Sequence, residues 1–507
     1  MSLARRAFTV SAWTFVSRML GLVRDRLWAG ALGGSPLLDA FLTAFALPNM
    51  LRELFGDGAL SAAFLPRYVQ LRDKDPVAAE RFAGAFLTRT GIFLAAIALA
   101  LMVAAAVVGW CAWPETKAWR VAWLALPMIP YLVFICLVAL MGAVANARKL
   151  FWVPAAMPVV LNCCLISTLW FGPEHEARIL PWAVLVAGVI QFGCMLLALR
   201  WRGGVPPPAL IATPEEAELR RAVAPVLLSS SAFQLNSLIG QGIAYFLIPG
   251  SGAVAFLYFA NRLLQFPLAL VGHAVTTASG PELAARALEG YRATGTFLAG
   301  AIRLQAFWLM PASIGLIVMA EPLVRAVYQT GKFDEDSVAR TVLATRMYAA
   351  ALVPVALNRQ LVRAFHAHRD QRTPMLVTLL AVGLNLVVGV ILVLTPLREA
   401  GLALATGVSA LIGSILYAVI LARRGTGAVI DPRALVRPAL AAAVMAGAVA
   451  WLLHTWPQPQ GEHVFVPALT RLLAAMALGA TAYLALAGTG WLRRRRPDPA
   501  KPVEPVE

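Results

Sequence analysis

The chain has 507 residues, of which 60% are apolar and 14% charged; soluble domains carry about 25% charged residues, and a globule this poor in charge would expose apolar patches too large for a soluble monomer. Its net charge of +17 comes with no aromatic-basic sheet pattern and no long basic helix, so no nucleic-acid partner is expected. The mean hydropathy of +0.73 and the continuous, non-alternating apolar runs point to an all-α polytopic membrane protein rather than a β-barrel.

In chain order, the apolar runs cover 7–33, 37–66, 82–110, 120–146, 153–171, 180–200, 220–248, 253–283, 297–322, 338–366, 373–396, 400–422, 435–455 and 466–492. They predict about 14 transmembrane helices. Ala4-Arg5-Arg6-Ala7-Phe8 loosely resembles a twin-arginine signal, but Arg18 and Arg24 interrupt the run and no A-x-A site follows, so the first run is read as a retained helix. With the N-terminus in the cytoplasm, the cytoplasmic segments carry 25 Lys and Arg against six in the opposite loops. That bias places both termini in the cytoplasm. Trp113, Trp119, Trp152, Trp182, Trp201, Trp456 and Trp491 fall near run ends, as interfacial anchors do.

An internal repeat runs at an offset of 215: Arg5-Arg6-Ala7 recurs as Arg220-Arg221-Ala222, Ala40-Phe41-Leu42 as Ala255-Phe256-Leu257, and Pro66 as Pro281. Six spans separate the copies, which makes them two six-helix lobes as parallel repeats, plus two C-terminal helices. The expected division is an N-terminal lobe at 1–202, an inter-lobe linker at 203–218 and a C-terminal lobe at 219–424. A tail groove at 425–492 and a basic, disordered tail at 493–507 complete it.

Charge inside apolar runs is the chemical signal. Arg18, Arg24 and Asp25 interrupt the first run, Asp39, Arg52, Glu53 and Asp57 fall in or at the second, and Arg262 sits mid-run in the eighth. Each arginine at bilayer depth costs about 2.5–3.5 kcal/mol, which a hydrated cavity would relieve. Pairing with Asp25, Asp39 and Glu53 as packing glue is the plainer reading, and Arg18 and Asp25 share a helix face. Arg262, beside Asn261, has no acid within a turn. A cation in each lobe points to a bipartite site for phosphate or carboxylate, which the guanidinium fork suits. Gly56-Asp57-Gly58 reads as a functional bend. His366 and His368 do not share a helical face and read as solvated, and the five cysteines, without C-x-x-C spacing, read as small apolar residues. No metal site is expected, and no P-loop, H-E-x-x-H or G-x-S-x-G occurs in a usable context.

The stretch Ser17-Arg18-Met19-Leu20-Gly21-Leu22-Val23-Arg24-Asp25 leads a set of family motifs. Asp39-Ala40-Phe41 through Leu47-Pro48-Asn49 to Arg52 follows, then Gly58 to Pro66, Ala260-Asn261-Arg262-Leu263 with Phe266-Pro267, Gly331-Lys332-Phe333, and Asp370 with Thr373-Pro374. Over nearly the whole chain the sequence resembles the MurJ (MviN) lipid II flippases of the multidrug/oligosaccharidyl-lipid/polysaccharide exporter superfamily. The resemblance implies fourteen helices and a transporter, not an enzyme, that moves the undecaprenyl-pyrophosphate-linked peptidoglycan precursor from the inner to the outer leaflet of a bacterial inner membrane. It implies that Arg18, Arg24, Arg52 and Arg262 bind the pyrophosphate, with Asp25, Asp39, Asp57, Asn49 and Asn261 supporting or gating; Asp39 would hold or release an arginine.

Departures from the family pattern are Asn261, Gln265 and Asp57, where acids or glutamate are common. Where some members carry sodium ligands, this chain offers Asn236, Asn385 and Thr406, so membrane potential or an ion gradient, rather than sodium, is the expected energy source, with no cofactor. Lipid II, membrane lipids and cell-wall synthesis proteins are the expected partners of a monomer. The alternatives are an exporter of another polyprenyl-linked oligosaccharide or of drugs, a membrane-embedded glycosyltransferase, and a cell-wall assembly scaffold. A drug exporter would want exposed acids, and a glycosyltransferase a catalytic carboxylate or metal-binding acids.

Overall fold

Among the described residues the apolar runs form helices or consecutive helix pairs, because a backbone in lipid must satisfy its hydrogen bonds within its own segment. The computed structural model describes residues 3–55, 59–171, 173–211, 213–456 and 465–488. Its helices are α1 (Leu3–Leu32), α2 (Pro36–Phe55), α3 (Ala59–Lys74), α4 (Pro76–Cys111), α5 (Lys117–Met128), α6 (Tyr131–Ala147), α7 (Trp152–Ser167), α8 (Pro173–Trp201) and α9 (Pro214–Leu247). They continue as α10 (Ala253–Pro267), α11 (Ala274–Glu289), α12 (Tyr291–Tyr328), α13 (Glu335–Ala367), α14 (Arg372–Val393), α15 (Glu399–Leu421), α16 (Pro432–Thr455) and α17 (Phe465–Tyr483). No strand occurs among the described residues.

Nine helical stretches there are long and apolar enough to cross a membrane, or ten if α5 and α6, bent by 44°, form one span. Among the helices outside that set, α1 carries Arg18, Arg24, Asp25 and Arg26, α2 carries Asp39, Arg52 and Glu53, and α7 is apolar but only 16 residues long.

Helix starts follow capping chemistry. Asp75 accepts from the amides of Val77 and Ala78 with Pro76 next, Thr213 from Glu216 with Pro214 next, and Asp431 from Arg433 with Pro432 next. Each pairs a side-chain acceptor with a proline whose missing N–H costs nothing there. The run 253–283 is broken after Pro267 by a π-helical turn, Leu268–His273.

The chain divides into two compact units. One comprises residues 1–255 and 330–337, the other 256–329 and 338–507. This cut lies after Ala255, whereas the division expected from the sequence repeat is at 203–218. Helix α9 joins the first unit because it packs along α2 and α3.

In the first unit, Phe64, Tyr68, Phe82 and Phe86 form a stacked aromatic core. The segment expected as the inter-lobe linker is pinned beside it at residues 204–209. Arg148 donates to Gly204 O at 2.5 Å and to both Glu80 oxygens at 2.8 and 2.7 Å, Ala209 N donates to Thr88 Oγ1 at 3.3 Å, and Gly84 lies against the Pro207 carbonyl, where a Cβ would collide with it. Replacing Gly84 with alanine should therefore detach the linker and cost about 1–3 kcal/mol, as overpacking does. A thermal melt in detergent reads this, and an unchanged melt would show that the linker gives way freely.

A second glycine contact closes the first unit at the far end of α1. Lys332 N donates to Gly30 O at 2.7 Å. Gly33 and Gly331 adopt φ of +57° and +54°, and a Cβ on either would strike the opposing backbone. Only glycine permits both the left-handed backbone and the approach.

In the second unit, Phe307, Met319, Met445, Val449, Leu472 and Tyr483 pack α12, α16 and α17 together. Gly295 on α12 meets the Thr426 carbonyl as Gly84 on α4 meets Pro207. Asp370 caps α14 through Thr373 N at 3.0 Å and pairs with Arg424 at 2.6 Å. Burial pushes the Asp370 carboxyl up, but the bonds from Thr373 and Arg424 prevail and bring it down to about 2.

Candidate substrate-binding residues

Helix α1 places Arg24 and Asp25, 6% and 1% exposed, inside the first unit. Arg24 Nε and Nη2 donate to Asp25 Oδ1 at 3.0 and 2.7 Å, and Nη1 donates to Asn162 Oδ1 at 3.0 Å. The guanidinium lies 4.7 Å from the Trp28 ring centroid. Asn162 Nδ2 donates to Ser17 O at 3.1 Å, so one amide of α7 holds both backbone and side chain of α1. Asp25 thus takes the adjacent Arg24 as its partner, where spacing had offered Arg18. Arg18 itself is exposed on α1.

Helix α2 carries Asp39 at one end and Asn49, Arg52 and Glu53 at the other. Asp39, 4% exposed, accepts from Gly252 N at 2.6 Å and Ala255 N at 2.8 Å. Backbone amides at the start of α10 are thus among its partners, a role the sequence did not suggest. Lys117 does the converse at the end of α9, donating to Tyr245 O at 2.6 Å and Ile248 O at 2.8 Å. An anion on amides at a helix start and a cation on carbonyls at a helix end both oppose the local dipole. The turn between α9 and α10 is held from both sides.

At the other end of α2, Arg52 donates through Nε and Nη2 to Asn49 Oδ1 at 3.3 and 3.2 Å. Asn49 Nδ2 donates to Glu53 Oε1 at 3.0 Å, Gln234 Nε2 donates to Glu53 Oε2 at 2.7 Å, and Arg52 Nη2 stands 3.6 Å from Glu53 Oε1.

In the second unit, Arg262 and Asn261 are half-buried on α10, and Arg262 lies 5.4 Å from the Tyr258 ring centroid, one turn back. Asn236 is half-buried on α9 of the first unit; Asn385 and Thr406 are half-buried on α14 and α15 of the second, with Thr406 Oγ1 donating to Leu402 O at 3.0 Å. Asp57, with the Gly56-Asp57-Gly58 bend, and the tail beyond 488 lie outside the described residues. His366 is exposed, but His368, expected to be solvated, stacks on Tyr291 at 3.9 Å and lies 2.9 Å from Thr294 Oγ1. Among the described residues no three His, Cys, Asp or Glu side chains gather as a metal-binding group. Sequence reasoning missed Trp28, Lys117, Asn162 and Gln234. Their signal was a polar or amphipathic residue standing alone in an apolar helix or at its start.

A family model described as lipid II flippase MurJ matches residues 28–470. The chain belongs to the MurJ family. A probable lipid II flippase MurJ of Rhizobium tropici is 30% identical over 546 aligned positions that cover 100% of this chain and 99% of the relative. The lipid II flippase MurJ of Burkholderia cenocepacia is 32% identical over 74% of this chain and 75% of its own. Among solved structures, a lipid II flippase MurJ in an inward closed conformation superposes with a TM-score of 0.79 at 21% identity, covering 96% of this chain and 99% of that one. The likeness shows an all-α fold of the MurJ type, and the family match makes the chain a multi-pass membrane transporter. Asp39, Asn49, Arg52 and Arg262 fall within the family match, while Arg18, Arg24 and Asp25 precede it.

Proposed function

We propose that this chain carries lipid II from the cytoplasmic to the periplasmic leaflet of a bacterial inner membrane by alternating access, both termini being cytoplasmic. The family match across 28–470 carries this reading. The diphosphate ligands are Arg18, Arg24, Arg52 and Arg262, because planar guanidinium donors suit a doubly charged oxyanion. The polyprenyl tail stays in lipid beside α16 and α17. Membrane potential drives the cycle, which suits an anionic head group moving outward.

The test is a leaflet-accessibility assay with labelled lipid II in proteoliposomes. The chain should expose lipid II to the outer compartment, and Arg262→Ala should slow the initial rate by about 10- to 100-fold, the loss of one charge-assisted contact of roughly 1.5–3 kcal/mol. No movement by the unaltered chain would refute the substrate, and an unimpaired Arg262→Ala would remove that residue from the site.

A further inference from the structure

Asn49, Arg52 and Glu53 stand at i, i+3 and i+4 on α2, so all three share one face. A carboxylate can only accept hydrogen bonds and a guanidinium can only donate them. Asn49, wedged between the two, must therefore turn its NH2 to Glu53 and its carbonyl oxygen to Arg52, the orientation the 3.0, 3.2 and 3.3 Å distances show. Gln234 obeys the same logic and spends its NH2 on the second Glu53 oxygen at 2.7 Å. The chain of donors and acceptors has one direction: Gln234 to Glu53, Asn49 to Glu53, Arg52 to Asn49. The Arg52 and Glu53 side chains are 26% and 38% exposed, so the assembly sits at a surface a ligand can reach.

We propose that Asn49, Glu53 and Gln234 are positioning residues that set the direction of the Arg52 guanidinium, and so its grip on the diphosphate of the transported lipid. This rests on the reading of Arg52 as a diphosphate ligand. The amides hold both carboxylate oxygens, so Glu53 balances the charge of Arg52 from 3.6 Å while the inner edge of the guanidinium is fixed by Asn49. Gln234, reaching in from α9, makes this geometry depend on where that helix lies. A guanidinium aimed in advance loses less rotational freedom on binding than a free one.

The polarity of the relay makes it testable by inversion. Initial transport rates are measured against lipid II content in proteoliposomes, giving a half-saturating content and a maximal rate, with a thermal melt as the folding check. Gln234→Glu sets two acceptors against each other and should raise the half-saturating content by about tenfold while the maximal rate stays within about twofold. Asn49→Asp should do the same, although it strengthens the local attraction for Arg52. The double variant Glu53→Gln with Gln234→Glu keeps the net charge and restores the order of donors: the introduced amide donates to the introduced carboxylate, and its own oxygen accepts from Asn49. It should recover the half-saturating content to within about threefold. Arg52→Ala runs beside them. If it leaves the half-saturating content unchanged, the reading of Arg52 as a ligand fails. If it raises that value while Gln234→Glu and Asn49→Asp do not, or if the double variant is no better than Gln234→Glu alone, the relay is refuted and Arg52 remains.

Discussion

Replacing Arg24 with alanine should both destabilise the protein and abolish lipid II transport, and the two effects should be separable. The side chain is the 2.7 Å partner of a carboxylate that is 1% exposed, and removing one member of a buried pair costs about 3–5 kcal/mol. It also deprives Asn162 of its Nη1 donor and Trp28 of its cation. A lower melting temperature alone would say only that the pair holds α1 in place. The decisive variant is Arg24→Met with Asp25→Leu, because exchanging a whole buried pair for apolar residues of similar volume is often neutral. Its melting temperature should return most of the way to that of the unaltered chain while transport stays absent. Recovered transport in the double variant would make Arg24 a packing residue and take it out of the diphosphate site.

Asp39→Ala should be the second most damaging change. Two bonds of 2.6 and 2.8 Å from backbone amides end on this carboxylate. Each charge-assisted bond contributes about 1.5–3 kcal/mol, so the pair should cost roughly 3–6 kcal/mol. Asn should be intermediate, because its single carbonyl oxygen can accept from one amide while its NH2 opposes the other. Amide hydrogen exchange at Gly252 and Ala255 reads the effect where it occurs. Exchange there should quicken in the order Asp39→Asn then Asp39→Ala; unchanged exchange in both would mean that the turn is held by Lys117 and packing alone.

The helices were legible because the membrane allows so few backbone solutions, and residues that repel lipid, such as Arg24 and Arg262, announce themselves against an apolar background. Their partners did not. Asn162 lies 138 positions from Arg24, Gln234 lies 181 from Glu53, and Gly252 lies 213 from Asp39. Periodicity reports which face of one helix is apolar, and it carries nothing about which distant helix will meet that face. Asp39 shows the limit best: two of the groups that meet its carboxylate are main-chain amides, which have no letter in a sequence. Lys117 looks like a loop charge for the same reason: the Tyr245 and Ile248 carbonyls to which it donates are equally silent.

The segment 330–337 and its bond to Gly30 bear on how the protein is made. A ribosome delivers residues in order, at about 5–20 per second, so α1 reaches the bilayer well before Lys332 exists to meet it. The first unit must wait, part-assembled, through the synthesis of α10 to α12, with the end of α1 lacking its seam. An expression fragment that stops at the linker would remain unfinished in the same way, and supplying the missing half in trans should rescue it better than any change within the fragment.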